Sequence, residues 1–150
     1  MSDTLYLLDT NIVLTLVRGN ALAAFIDDEF GLRASRVRPL VCVVSHGEVR
    51  VLAGRNRWGE AKLAALQNAL DNLVTVDINH PDVLDAYVEI DLYSQSQPDG
   101  ARNMGKNDLW IAACAKAAGA TLLTTDKDFE HLAQTLLSIE FVDPDSARSR

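Results

Sequence analysis

The chain has 150 residues, 48% of them hydrophobic, which suits one domain with a real core and excludes a largely disordered chain. A balance of 14 Lys and Arg against 21 Asp and Glu gives a net charge of −7 and argues against a general nucleic-acid coat. Apolar runs such as Leu40 to Val44 are far too short to cross a bilayer.

In chain order, Leu5-Tyr6-Leu7-Leu8 is a short continuous apolar run, the pattern of a strand buried on both faces in a parallel sheet. No charged-then-apolar leader precedes it, so no signal peptide is expected. Asp9 follows, then a helix over Ile12 to Val17. Asn20 to Phe30 reads as a second helix, with Leu22, Phe25 and Ile26 on one face and Gly31 at its end. Leu40 to Val44 is the second buried strand. Ser45 and Glu48 have the spacing of a capping box for a helix reaching about Ala53, which Gly54 stops.

Glu60 to Asp71 is amphipathic, with Leu63, Leu66, Leu70 and Leu73 in step, and Leu73 to Ile78 is a third strand. Pro81 suits the first turn of a helix whose inner face is Val83, Ala86, Tyr87, Ile90 and Tyr93. Ser94 to Lys106 reads as a loop. Lys106 or Asn107 opens a helix over Asp108 to Ala118, apolar almost all round and therefore buried, with Gly119 closing it. Thr121 to Thr125 is a fourth strand, Asp128 to Gln134 a short helix and Ile139 to Val142 a last strand. Residues 146–150 form a polar tail expected to fray. Strands alternating with helices define an α/β domain over residues 1–150, a parallel sheet with helices on both faces. Cys42 and Cys114 fall in core elements and read as reduced, buried thiols of a cytosolic protein.

Acids recur at the junctions. Asp9 ends the first strand, Glu48 lies early in the helix after the second, Asp108 opens the buried helix, and Asp126 follows the fourth strand. In a parallel sheet these junctions share the carboxyl edge, where open α/β folds bind ligands. Each has a plainer reading: Asp9 as a helix cap, Glu48 as a capping-box acid, Asp108 as a first-turn charge, Asp126 as an Asx-turn residue and Asp128 as a cap. Four carboxylates on one edge repel, at about 4 kcal/mol for a pair 4 Å apart at an effective dielectric near 20. A hard divalent cation offsets that repulsion, and Mg²⁺ or Mn²⁺ prefers such oxygen donors. The cluster therefore predicts metal-assisted hydrolysis of a phosphate ester.

Other chemistries fit less well. There is no G-x-G-x-x-G after the first strand and no Walker lysine loop. His46, His80 and His131 lack zinc spacing. Asn11 stands where a phosphatase of the haloacid dehalogenase class needs an acid. Residues 31–58 hold six arginines (Arg33, Arg36, Arg38, Arg50, Arg55 and Arg57) against Glu48 alone. Such a basic patch on an acidic body fits a polyanion, an acidic protein partner or plain solubility.

Four strings in this order, Leu7-Leu8-Asp9-Thr10-Asn11, Ser45 with Glu48, Lys106-Asn107-Asp108-Leu109-Trp110-Ile111-Ala112-Ala113 and Thr124-Thr125-Asp126-Lys127-Asp128-Phe129, resemble the motifs of the PIN-domain nucleases. They are most similar to the VapC-type toxins of bacterial toxin–antitoxin pairs, and the likeness covers nearly the whole chain. It implies a PIN-like three-layer α/β/α fold around a central parallel sheet of about five strands. It further implies a cytoplasmic, Mg²⁺- or Mn²⁺-dependent endoribonuclease that hydrolyses RNA with a metal-activated water, forms a homodimer and is inhibited by a cognate antitoxin. On this resemblance Asp9, Glu48, Asp108 and Asp126 are the catalytic and metal-holding acids. Asp128 is an extra acid, and Asn11 and Thr124 are polar supports. Arg50, Arg55, Arg102 and Lys106 are candidate RNA contacts, with solvated surface charge as their plain alternative. A non-catalytic RNA- or protein-binding module of the same fold and a small-substrate phosphohydrolase are the competing functions.

Overall fold

The computed structural model describes residues 4–146. Its strands are β1 Tyr6–Leu8, β2 Leu40–Cys42, β3 Val74–Val76, β4 Thr121–Thr124 and β5 Ile139–Phe141. All pair in parallel, in the order β3-β2-β1-β4-β5. The helices are α1 Thr10–Arg18, α2 Ala21–Phe30, α3 Val43–Arg55, α4 Glu60–Asp71, α5 Pro81–Gln95 and α6 Lys106–Ala117, with a 3-10 helix over Lys127–Leu132.

Alternation along the three central strands divides the core in two. Leu7, Leu40, Cys42 and Leu122 point to one face, where they meet Val83, Ala86 and Ile90 of α5, the inner side of α6, and Phe129 and Leu132 of the 3-10 helix. Leu8, Val41 and Leu123 point to the other, against Ile12 and Val13 of α1, Ile26 of α2, Val49 and Ala53 of α3, and Leu66 and Leu70 of α4. Both faces of the sheet are thus covered, which is why its strands carry continuous apolar runs instead of alternating ones. The expected α/β/α sandwich with five parallel strands is the observed one.

Several boundaries differ from expectation. Helix α1 starts at Thr10, earlier than Ile12, because Asp9 caps it: its Oδ1 accepts from the Thr10 N–H at 2.8 Å. Helix α3 starts at Val43, so Val44 is helical and the capping box does not form. Cys42 occupies the cap position with no side-chain hydrogen bond, Ser45 is already inside the helix, and Glu48 lies in its second turn. Gly54 does not stop α3. The helix runs to Arg55, and the chain turns at Arg57 with a left-handed φ of 50°. Leu63 of α4 is exposed, outside the buried stripe of Leu66 and Leu70. The short helix after β4 is a 3-10 helix that ends at Leu132, two residues before Gln134. Helix α5 continues to Gln95, which shortens the loop before α6. Gly119, at φ 65°, makes the sharp turn from α6 into β4 that only glycine adopts without strain. Cys42 and Cys114 are buried free thiols with sulfurs 3.4 Å apart. Of the tail, Ser146 closes a turn onto the Asp143 carbonyl at 3.0 Å, and residues 147–150 lie outside the described residues. Among the described residues no helix is long and apolar enough to cross a membrane.

Candidate active site

The strand order reverses at β1: β2 and β3 extend the sheet to one side, and the chain then returns to place β4 and β5 on the other. The carboxyl ends of β1 and β4 flank the crevice that such a switch point opens. Asp9 leaves β1 there and Asp126 leaves β4 there. Their main chains are stitched side by side, with the Asp9 N–H on the Leu123 carbonyl at 3.0 Å.

Thr124, fully buried at the end of β4, joins the two acids. Its hydroxyl donates to Asp9 Oδ2 at 2.6 Å and accepts the Asp126 N–H at 2.9 Å. Both oxygens of Asp9 are therefore held, one by Thr124 and one by the Thr10 N–H. The expected polar support is a structural bridge. Asn11, the other expected support, is exposed on α1, and its carbonyl accepts the Thr15 hydroxyl at 2.9 Å.

Asp126 forms an Asx turn, its Oδ1 accepting the Asp128 N–H at 2.9 Å. The turn swings Asp128 towards the first turn of α6, where Asp108 sits. One carboxylate oxygen from each of Asp108, Asp126 and Asp128 lies within 4.8 Å of the other two. Asp128, ranked only as an extra acid by the sequence, is thus in the tightest group, whereas Asp9 and Glu48 stand around it. Glu48 is anchored across the site: its Oε1 accepts the Thr10 hydroxyl at 2.7 Å, and Thr10 Oγ1 in turn meets Ser45 Oγ at 2.7 Å.

Asp108 and Asp9 feel the other acids. Burial and then the charges of Asp9, Asp126, Glu48 and Asp128 push the Asp108 carboxyl up to about 6. Asp9, 4% exposed, is also raised. Burial is the main cause there, opposed by the hydrogen bonds from Thr124 and Thr10 and reinforced by Asp126 and Glu48. Among the described residues no Lys, Arg or His forms an ion pair with any of the five. The site is an uncompensated block of negative charge with hard oxygen donors, which suits a divalent cation and no anionic or thiol-seeking ligand.

The histidines serve elsewhere. His46 Nε2 meets Thr75 Oγ1 at 2.9 Å, His80 Nδ1 caps α5 by accepting the Asp82 N–H at 3.1 Å, and His131 Nε2 meets the buried Ser94 hydroxyl at 2.8 Å. Of the basic candidates, Arg55 lines an open groove of about 500 Å³ along α3 together with Glu48, Val51 and Asn107. Arg50 is exposed on the same helix, and its charge, after burial, lowers the His46 pKa. Arg102 and Lys106 are exposed before and at the start of α6. Among the described residues none of these four is tied up in an ion pair.

Thr10 and Ser45 were not among the expected site residues. Both stand in the motif strings, Thr10 directly after Asp9 and Ser45 three residues before Glu48. The signal is present there, but Ser45 and Glu48 also have the spacing of a helix capping box.

An α/β/α sandwich with acids gathered at the switch point of β1 and β4 defines a class that the sequence comparison names. The PIN domain family profile matches residues 6–134, and the chain belongs to that family. PIN domains as a family are nucleases and generally use divalent metals. No curated protein sequence gives a significant match. Among solved structures, VapBC2 from Rickettsia felis bound to a DNA fragment from its promoter contains a chain that is 22% identical. Its TM-score is 0.74, and the match covers 93% of this chain and 100% of that one. FitAcB from Neisseria gonorrhoeae is similar at 20% identity and a TM-score of 0.69, over 92% of this chain and 97% of that one. VapBC-1 from nontypeable Haemophilus influenzae is similar at 22% identity and a TM-score of 0.67, over 92% and 98%. At these identities the likeness concerns the fold.

Proposed function

We propose that the protein is a Mg²⁺- or Mn²⁺-dependent endoribonuclease, the toxin of a type II toxin–antitoxin pair. The observation that carries this reading is the convergence of Asp9, Glu48, Asp108, Asp126 and Asp128 at one sheet edge with, among the described residues, no Lys, Arg or His in an ion pair with them. Asp108, Asp126 and Asp128 present oxygens close enough together to hold one ion, and Asp9 and Glu48 add their negative charge to the same site. A bound divalent cation would lower the pKa of a coordinated water and stabilise the charge that develops on a phosphodiester.

The chain's own residues supply the rest. Thr124 and the Thr10 N–H fix Asp9 so that it does not swing away from its neighbours. Without an ion, burial and the neighbouring acids push the Asp108 carboxyl up to about 6, so neutral pH favours its ionised, cation-binding form. Arg55, which lines the same groove as Glu48, receives a phosphate of the substrate strand, and Arg50, Arg102 and Lys106 offer further backbone contacts. Such contacts position a polyanion without reading its sequence, and they offset the local negative charge that would otherwise repel it.

The partners follow from the kind of structure the chain resembles, several of which are toxin–antitoxin complexes. A cognate antitoxin that covers the acids, a homodimer and a cytoplasmic place of action belong to the same reading. The test is cleavage of total RNA with Mg²⁺, with EDTA, and with Asp9→Asn and Asp108→Asn, beside a nitrophenyl phosphate assay. Chelator-sensitive RNA fragments that both variants fail to produce are the expected result. Phosphate release alone would point to a small-substrate phosphohydrolase, and silence in both assays to a binding module.

A further inference from the structure

We infer that Thr10 is a positioning residue that sets Glu48 and Asp9 in register with each other, and that Ser45 fixes the polarity of its hydroxyl. This rests on the proposed metal-dependent reading of the site. Thr10 is almost buried and Ser45 fully so, and they come from α1 and α3, 35 residues apart in sequence. A threonine hydroxyl has one proton to donate and room to accept. An ionised carboxylate only accepts. The Thr10 proton therefore goes to Glu48 Oε1, and Ser45 donates to Thr10 Oγ1. The result is a directed chain, Ser45 to Thr10 to Glu48, that occupies Oε1 and leaves Oε2 for the site.

The same residue serves Asp9 by another route, its backbone N–H on Oδ1. Two acids from different elements are thus referenced to one residue, Asp9 through the peptide group and Glu48 through the side chain. Glutamate has three side-chain torsions and leaves a helix surface freely. Here it leaves the second turn of α3 and is held across the gap to α1. Groups that orient metal ligands typically contribute 10–100-fold to affinity or activity.

Thr10→Val isolates the claim, because it keeps the N–H on Asp9 and nearly the same volume and deletes only the hydroxyl. Mn²⁺ affinity is measured calorimetrically on the RNA-free protein, with circular dichroism and melting as checks on folding, and RNA cleavage is measured separately. Thr10→Val is expected to weaken Mn²⁺ binding about 10-fold or more and to lower kcat with little change in KM for RNA. Thr10→Ser, which restores the hydroxyl, is expected to return within about 3-fold of the wild type, and Ser45→Ala to fall between. In a double-mutant cycle, Thr10→Val adds nothing to Glu48→Gln if it acts through Glu48. Wild-type Mn²⁺ affinity in Thr10→Val, a Thr10→Ser as weak as Thr10→Val, or full additivity with Glu48→Gln overturns the inference and leaves the nuclease reading intact. A wild type that neither binds Mn²⁺ nor cuts RNA overturns both.

Discussion

Replacing Asp108 by Asn should make the metal-free protein more stable while abolishing its metal response. The Asp108 carboxyl rises from 3.8 to about 6 in the fold, through burial and through four neighbouring acids. Such a rise corresponds to about 3 kcal/mol at neutral pH. Because the side chain is partly exposed, solvent screening reduces this to roughly 1–2 kcal/mol. Between 3.8 and about 6 the folded chain keeps a proton that the unfolded chain has released, so stability falls as pH rises through that window and the full cost stands above it. Asn carries no such charge. At roughly 2–4 °C per kcal/mol for a chain of this size, the variant should melt about 2–8 °C higher than the wild type in EDTA at pH 7.5. At pH 4, where the wild-type carboxyl is already protonated in the fold, the difference should vanish. Added Mn²⁺ should then reverse the order, since saturation at about 100 times Kd stabilises the wild type by about 2.7 kcal/mol and leaves the variant almost unmoved. Scanning calorimetry at the two pH values, with EDTA and with Mn²⁺, reads all four conditions. A variant that melts at or below the wild type in EDTA at pH 7.5, or that gains as much at pH 4, would refute the electrostatic argument.

Thr124→Val leaves the buried Asp9 Oδ2 without its donor and the part-buried Asp126 N–H without its acceptor. It should cost about 1–3 kcal/mol, seen as a lower denaturation midpoint in urea, and Thr124→Ser should recover most of it. An unchanged midpoint would mean that the bridge contributes nothing. Arg55→Ala should weaken binding of a short single-stranded RNA in EDTA and reduce the slope of log K against log salt by about 0.7, the value for one lost phosphate contact on a single strand. Fluorescence anisotropy at three salt concentrations reads this, and an unchanged slope would remove Arg55 from the RNA path.

Much of the fold was legible because the sheet is buried on both sides. Runs such as Leu7-Leu8 and Leu122-Leu123 feed both cores, and a chain shows that without any partner in view. The placement of Asp9, Asp108 and Asp126 on one edge followed from the same parallel logic. What stayed hidden depended on contacts far apart in sequence. Val43 and Val44 read as strand because they extend an apolar, β-branched run, yet the helix has begun by then. Ser45 and Glu48 have capping-box spacing, but both are bonded to Thr10 on another element. Asp128 gains its place from a local turn closed by Asp126, and spacing alone does not tell whether such a turn points an acid into a cluster or into solvent.

The central position of β1 has a consequence for biosynthesis. Asp9 and Glu48 emerge from the ribosome in the first third of the chain, whereas Asp108, Asp126, Asp128 and the bridging Thr124 emerge in the last third. Until Thr121–Thr124 has docked beside Tyr6–Leu8, the early acids have no partners to gather around an ion. A growing polypeptide therefore carries only part of the centre until β4 has been made and has paired with β1.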